Sequence, residues 1–220
     1  MKSYVGVCLR LAGVNIESLG SWADSFLRRN NELITRFETM VKARAPAIPT
    51  GAILFVLIKM FGPISGAHFN PAVSMMFLFR KELNEKDYIM YSLVQIFGGL
   101  LAIVTIHYIF ELEHIFQIST NVRGEIPLLV SEIIATFGLL STILFIRKHD
   151  EKSVAIGVAL FITAGYWFTS STSFANPAVT IARVFTDTFT GIAPISVKFF
   201  LIGQLIGSLI AYYIYRFLEE

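Results

Sequence analysis

Long segments without charged residues alternate along this chain with short polar stretches. The apolar segments comprise residues 47–61, 88–110, 126–146, 153–182 and 191–215. Their only charged members are Glu132 in the third segment, Lys198 near one end of the last, and Lys59 in the first, which is the shortest and weakest. About 20 apolar residues are enough to cross the ~30 Å hydrocarbon core of a bilayer. The pattern therefore predicts five membrane-spanning helices.

The segment 153–182 is too long for one span and contains Pro177 in its last third. Proline suits the first position of a helix and asparagine caps it. We therefore predict a span over 154–168, an irregular loop, and a short helix that opens at Asn176. A similar short helix is predicted over 71–79. Irregular backbone at membrane depth must be buried in protein or line a wet cavity, so these two short helices imply an aqueous path.

The two short helices belong to an internal repeat. The stretch SGAHFNPAVS recurs as STSFANPAVT, and the pattern QxxGxLxA begins at Gln95 and again at Gln204. The offsets are 106 residues for Asn70 and Asn176 and 109 for the glutamines. Because an odd number of predicted spans separates the copies, the two halves are inverted in the membrane. The short helices should then enter from opposite faces and meet with their amino ends inward.

Such a meeting point has predictable electrostatics. Each helix amino end carries about half a positive charge, so the pair should repel cations. The side-chain amides of Asn70 and Asn176 can donate hydrogen bonds, while the loops 66–69 and 172–175 offer carbonyl acceptors. Central donors flanked by acceptors suit a neutral, polar, hydrogen-bonding solute.

These residues resemble the aquaporin, or major intrinsic protein, family. The resemblance rests on SGAHFNPAV, the second ANPAV, Glu132 in SEIIATFGLL and the repeated QxxGxLxA, and covers about residues 48–217. GPISGAHFNPAVS with STSFANPAVTIAR is most similar to a bacterial aquaglyceroporin branch associated with arsenic-resistance operons. The resemblance implies an all-α membrane protein, an inverted repeat of transmembrane helices with two re-entrant half-helices. It also implies a homotetramer in the bacterial inner membrane that passively conducts water, glycerol and other small neutral solutes.

The expected site residues fall into three groups. The pore-lining motif residues are Asn70, Pro71, Ala72, Asn176, Pro177 and Ala178. The pore carbonyls are those of Gly66, Ala67, His68, Thr172 and Phe174. Glu132, Gln95 and Gln204 are expected to be structural. For Glu132 the resemblance favours bonds to nearby loop backbone over the alternative, a proton-relay carboxylate.

The first departure from the family pattern concerns selectivity. Most members carry an arginine after the second motif, where this chain has Val179. The four expected filter residues are Thr50, Ala164, Ser173 and Val179. None is a bulky ring or a charge, which favours glycerol-sized solutes or hydroxylated metalloids such as arsenite. Arg183 either substitutes partly at the vestibule or extends to the outer interface.

The second departure is the amino-terminal segment, 1–46. Its charged residues include Arg10, Glu17, Asp24, Arg28, Arg29, Glu32, Arg36, Glu38, Lys42 and Arg44. A charge at the bilayer centre costs about 2.5 to 3.5 kcal/mol. The expected first membrane-spanning helix therefore cannot be recognised in this segment. The segment is either a replacement for that helix, or an interfacial helix with a divergent span whose remnant is 4–14. The channel domain is accordingly assigned to 47–220.

Loop charges predict the orientation of the channel domain. One side carries Arg80, Lys81, Lys86, Arg147, Lys148, Lys152 and Arg216. The other side carries Arg123 and Arg183. Because cytoplasmic loops are enriched in Lys and Arg, the first set is predicted to be cytoplasmic.

Composition limits the other functions. The chain is 55% hydrophobic and has a net charge of +2, with no basic field that would indicate nucleic acid. Cys8 is its one cysteine, and neither a metal site nor a cofactor is predicted. No nucleophile, base and orienting group converge, which argues against an enzyme. Two alternatives stay open: a non-conducting protein of the same fold, and a coupled transporter, which should place ionisable groups at its substrate site.

Overall fold

A computed structural model describes residues 46–188 and 190–219. These residues belong to one compact unit that spans 43–220. The predictions made for residues 1–45 lie outside the described residues. Within the described ranges the secondary structure is entirely helical, without strands, as the predicted fold class requires.

The described part of this unit contains seven α-helices. They are α1 Ala47–Ser65, α2 Pro71–Phe79, α3 Glu85–Ile109, α4 Ile126–His149, α5 Val154–Phe168, α6 Pro177–Ala182 and α7 Val197–Glu219. Short 3-10 turns occupy Glu151–Ser153, Arg183–Phe185 and Pro194–Ser196. The predicted helices over 71–79 and 154–168 are confirmed, and the sixth helix begins directly after Asn176.

Four segments of the described chain are long and apolar enough to cross a membrane. They are Ala47–Ser65, Glu85–Ile109, Ile126–His149 and Pro194–Glu219. The fifth predicted span, α5, has 15 residues and is about 22 Å long at 1.5 Å per residue. By itself it is shorter than the ~30 Å hydrocarbon core. The helical part of this predicted span ends at Phe168 and leads into the second irregular loop, which continues the uncharged segment 153–182.

Among the described residues, the most extensive helix contacts are those of α4 with α7 and of α1 with α5. In α7, Gly203 and Gly207 lie directly against the backbone of α4: a Cβ on Gly207 would stand 2.6 Å from the Ile133 carbonyl oxygen. The main core fills the space between α2, α4, α5 and α7. Its fully buried members include Met76, Ala135, Leu140, Ala175 and Ala211.

The two copies of the repeat pack differently. α3 is the repeat counterpart of α7, yet none of its 18-residue apolar window is buried, against 39% in the last span. Gly98 in α3, the counterpart of Gly207, would meet no described atom within 4 Å if it carried a Cβ. Within the described residues α3 packs on the short helices α2 and α6. Its outer apolar face, which includes Val94 and Phe97, is exposed.

This difference predicts opposite outcomes for the same substitution. Gly207→Ala should destabilise the fold by about 1–3 kcal/mol, because the new methyl would overlap α4 backbone that cannot move aside. Gly98→Ala should be neutral or slightly stabilising, since alanine is the better helix former. Unfolding in detergent micelles, followed by circular dichroism, measures both. Equal destabilisation would contradict the open face assigned to α3.

Candidate functional site

The amino ends of α2 and α6 are capped in the same way. The Asn70 side-chain oxygen accepts from the Ala72 N–H at 2.8 Å. The Asn176 oxygen accepts from the N–H groups of Ala178 and Val179 at 3.0 and 3.3 Å. Pro71 and Pro177 each occupy the first helical position, where a missing N–H costs nothing. Each motif thus builds a complete helix start without help from the other.

The same asparagines also join the two motifs. The Asn70 Nδ2 donates to the Ala175 carbonyl at 2.7 Å, and the Asn176 Nδ2 donates to the Phe69 carbonyl at 3.0 Å. Each motif therefore holds the loop that precedes the other. A primary amide has two N–H donors, so the prediction of a central donor needs one refinement. One N–H per asparagine is used structurally, so the predicted donor role falls to the other.

Both loops before the short helices contain left-handed backbone at residues other than glycine. Positive φ angles occur at Ala67 and Phe69 in the first loop and at Thr172, Ser173 and Ala175 in the second. Such conformations cost about 1–3 kcal/mol each and persist only when their surroundings hold them. The reciprocal asparagine bonds provide part of that support.

Glu132 supports the second loop. Its side chain is fully buried in α4. The carboxylate accepts from the N–H groups of Phe174 at 3.0 Å and Ala175 at 2.9 Å, and from the Gln204 Nε2 at 2.6 Å. Three donors from two other segments thus converge on one carboxylate. This arrangement ties α4, α7 and the loop before α6 together.

The first half repeats only part of this network. Ser74 and Thr180 each lie four residues beyond their asparagine, a match that the sequence repeat contains. Gln95 donates to Ser74 at 3.1 Å, as Gln204 donates to Thr180 at 2.9 Å. The side-chain oxygens of Gln95 and Gln204 are both buried without a hydrogen-bond partner among the described residues, so the halves differ in the second bond that Gln204 donates, to Glu132. No described carboxylate takes the place that Glu132 holds in the second half.

A cavity of about 510 Å³ reaches the point where the half-helices meet. Gly66, Ala67, His68, Asn70, Phe174 and Asn176 contribute to its lining. The facing wall is largely aliphatic and comes from α1, α4 and α5. Of the predicted pore carbonyl residues, Thr172 alone is outside this lining. The cavity is the size of a small-molecule site and combines apolar walls with a polar strip.

The four predicted filter residues lie outside this cavity. Thr50 is in the first turn of α1, Ala164 is exposed on α5, Ser173 is buried in the second loop, and Val179 is half-buried in α6. Three of these filter residues lie close together, because they or their chain neighbours are in contact. Gly51, next to Thr50, lies against Thr163, next to Ala164, and Gly165 lies against Ser173. Val179 belongs to the cap of α6 through its bond to Asn176.

Two arginines flank the outer loop. The guanidinium groups of Arg123 and Arg183 lie 5.5 and 5.7 Å from the centroid of the Phe174 ring. Burial lowers the pKa of Arg123, with a further lowering from Arg183 and an opposing effect of Glu132. Arg183 therefore packs against the loop before α6 and does not simply extend away from it. The sequence repeat gave no sign of Arg123 at this place.

The opposite end of the cavity is held by an ion-pair cluster. The Glu82 carboxylate bonds Arg80 and Arg147, each at 2.5 Å. Burial acts to raise the pKa of Glu82, but hydrogen bonds from Arg80 and Arg147 outweigh it and keep the pKa below its ordinary value. Arg147 also lies over the ring of Phe77, 4.9 Å from its centroid. Residues of the predicted cytoplasmic set thus gather at one end of the cavity.

The structure has two half-helices joined at their amino ends, a cavity that leads to the junction, and several apolar spans. These features define an integral membrane channel of the re-entrant half-helix class. Comparison with known proteins gives the family. The model of the family described as Major intrinsic protein matches residues 27–154. This chain belongs to the major intrinsic protein family.

Several relatives in this family are similar to the chain. Aquaglyceroporin AqpS of Rhizobium meliloti (strain 1021) is 44% identical over 176 residues, which cover 80% of this chain and 75% of the relative. Probable aquaporin NIP-type of Nicotiana alata is 26% identical over 226 residues, 99% of this chain and 82% of the relative. Probable aquaporin-5 of Gibberella zeae is 33% identical over 179 residues, but this chain spans only 31% of its length.

Membership settles the class of activity. The protein is a multi-pass integral membrane channel that passes water and small neutral solutes passively, and it is not an enzyme. The predictions of family, fold and channel function are confirmed at this level.

Proposed function

We propose that this channel is an aquaglyceroporin that passes glycerol-sized solutes as well as water, with hydroxylated metalloids such as neutral arsenite among them. The observation that carries the proposal is the valine at position 179, directly after the second motif. Together with Thr50, Ala164 and Ser173, Val179 would form a filter that contains no aromatic ring and no charged side chain. The 44% identity to a relative named an aquaglyceroporin supports the same reading.

The geometry suggests how such a solute would pass. A polyol entering the cavity can place its carbon chain along the aliphatic wall and its hydroxyl groups along the strip from Gly66 to Asn70. At the junction the remaining N–H of Asn70 and Asn176 can donate to a hydroxyl oxygen. A cation would meet two positive helix ends at the junction, whereas the carboxylate that lines this cavity, that of Glu151, lies in the turn before α5. The path therefore favours neutral solutes that can both donate and accept.

Assembly and location belong to the same proposal. The exposed apolar faces of the helices, that of α3 above all, fit a protein surrounded by lipid and by other copies of itself. We propose a homotetramer with one path per subunit, in the inner membrane of a bacterium. A non-conducting protein of the same fold is the second candidate. The observation that favours it is the charged amino-terminal segment 1–46, in whose sequence the expected first helix cannot be recognised.

Stopped-flow light scattering on proteoliposomes tests the function. Vesicles with the full chain are shrunk with glycerol and, separately, with an impermeant sugar. Re-swelling in glycerol faster than in empty vesicles establishes a wide pore. Traces equal to those of empty vesicles, with insertion confirmed by protease protection, support the non-conducting candidate instead.

Val179→Arg tests the filter. The long cationic side chain should narrow the path, so glycerol and arsenite permeability should fall by about tenfold, an added barrier of roughly 1.4 kcal/mol. Water permeability should fall much less, since a water file needs less width. The matched control is Val122→Arg, the same substitution at a valine that is exposed between α3 and α4, which should leave both permeabilities unchanged. Equal loss of water and glycerol flux in Val179→Arg would contradict the filter assignment.

A further inference from the structure

The imidazole ring of His68 lies beside the cavity and is held in a fixed plane. It stacks on the ring of Phe77, with centroids 4.4 Å apart and planes 17° apart, and it also packs against Tyr91 at 5.2 Å. Its Nδ1 lies 3.1 Å from the Ser74 hydroxyl oxygen. Its Nε2, in contrast, is neither hydrogen-bonded nor buried among the described residues. This open nitrogen belongs to a residue that lines the cavity.

The Ser74 hydroxyl determines which ring nitrogen of His68 carries the proton. This hydroxyl is fully buried, and among the described residues its neighbours are the Gln95 Nε2 and the His68 Nδ1, each at 3.1 Å. Because Gln95 donates to the hydroxyl oxygen, the hydroxyl proton remains for Nδ1. A proton on Nδ1 would instead leave the hydroxyl proton buried without an acceptor, which is costly. Neutral His68 therefore accepts at Nδ1 and carries its proton on Nε2.

The repeat fixes the orientation of the Gln95 amide. Its counterpart Gln204 donates from Nε2 to Glu132 at 2.6 Å and to Thr180 at 2.9 Å. A carboxylate accepts and does not donate, so the bond to Glu132 identifies the N–H end of that amide. Gln95 meets Ser74 in the way that Gln204 meets Thr180. The reversed Gln95 amide would bury two N–H donors without acceptors in place of one unpaired oxygen, and unpaired buried donors are unfavourable.

We propose that His68 is a specificity-determining residue through its side chain, whose Nε2–H donates a hydrogen bond to a hydroxyl oxygen of the solute in the cavity. The carbonyl of the same residue is an acceptor in the polar strip, so His68 offers both halves of the pairing that a hydroxyl group can make. Ser74 and Gln95 are positioning residues, because they act on the solute only through the proton of His68. This role rests on the proposed passage of glycerol-sized solutes.

Nitrogen-15 NMR of the full chain in detergent tests where the proton lies. The four histidines are labelled, and spectra are recorded at about pH 8, above the ordinary histidine pKa of about 6.5. Comparison with His68→Phe assigns the ring signals. We expect one neutral tautomer with its proton on Nε2, and a change in that signal as glycerol is added. Ser74→Ala removes the fixing hydroxyl, so the other tautomer should become populated. A proton on Nδ1 in the unmodified chain would overturn the donor role.

Flux through proteoliposomes tests whether this donor acts on the solute. His68→Phe keeps an aromatic ring against Phe77 but loses the donor, so glycerol permeability should fall about fivefold, the effect of one neutral hydrogen bond. Water permeability should change little, because water molecules in a cavity of about 510 Å³ can bond one another. The matched control is His149→Phe, the same substitution at an exposed histidine at the end of α4 and outside the cavity lining. It should behave like the unmodified chain.

The two measurements separate the possible failures. If the unmodified chain passes glycerol and His68→Phe leaves that flux unchanged, or lowers water and glycerol flux equally, the role of the His68 side chain is overturned and the proposed function stands. If the unmodified chain passes no glycerol but its Nε2 signal still responds to glycerol, the proposed function alone is overturned. The absence of both glycerol flux and a glycerol response overturns both.

Discussion

Replacing Glu132 with alanine should unfold the second half of the channel or leave it unable to conduct. The substitution removes the acceptor for the N–H groups of Phe174 and Ala175 and for Gln204, all at 2.6 to 3.0 Å. Each buried donor left without a partner costs about 1–3 kcal/mol. We therefore expect more than about 3 kcal/mol of destabilisation, a large part of the stability of an ordinary domain.

Two further variants separate the role of Glu132 from a general effect of lost charge. Glu132→Gln keeps the size and one acceptor oxygen, so it should lose less stability than alanine. Glu125→Ala removes an exposed glutamate at the cap of the same helix, where the side chain makes no cap bond, and should be neutral. Micelle unfolding and stopped-flow permeability are measured together. A stable Glu132→Ala channel with normal flux would show that the loop does not need this carboxylate.

The second large effect is expected from Asn176→Asp. Aspartate can still cap α6, so the short helix should form. The Nδ2 donor to the Phe69 carbonyl is replaced by a negative oxygen, and two acceptors then face each other across the junction. Glycerol permeability should fall about a hundredfold, which corresponds to about 2.7 kcal/mol of added barrier. The new charge should also weaken the exclusion of cations.

Asn121→Asp provides the comparison for this change. Its Nδ2 donates to the Gly191 carbonyl at 3.1 Å in the outer loops, so the variant loses the same type of bond and gains the same charge away from the junction. It should keep its glycerol permeability. Proteoliposomes report glycerol flux by light scattering and proton leakage by an entrapped pH dye. Unchanged flux in Asn176→Asp would remove the asparagine amide from the solute path.

Much of this architecture could be predicted because it depends on local sequence signals. The absence of charge locates the spans, and the Asn-Pro pairs locate the two short helices to the residue. The glutamines of the repeat also pointed to equivalent positions in α3 and α7. Apolar length alone does not give the end of α5, because the uncharged segment continues without a break through the second loop and into α6.

The long-range partners could not be predicted from local signals. Nothing around Asn70 indicates that its amide donates to a carbonyl 105 residues away, and nothing around Arg123 places it over Phe174. The opposite packing of Gly98 and Gly207 is equally hidden, since both stand in the same QxxGxLxA pattern. These features depend on which surfaces meet after folding, and the local pattern of a single sequence carries no signal for those contacts.

The reciprocal asparagine bonds also constrain the order of assembly. The first half-helix can form as soon as it has been synthesised, because its cap is its own. Its loop, however, receives its bond from Asn176 only after more than a hundred further residues have been made and inserted. Until then Phe69 and Ala67 hold left-handed conformations, if at all, without that support. The centre of the channel is therefore completed late in biosynthesis. A chain truncated before the second motif would retain three of the four long apolar helices of the described residues, α5 and one half-helix, but no junction.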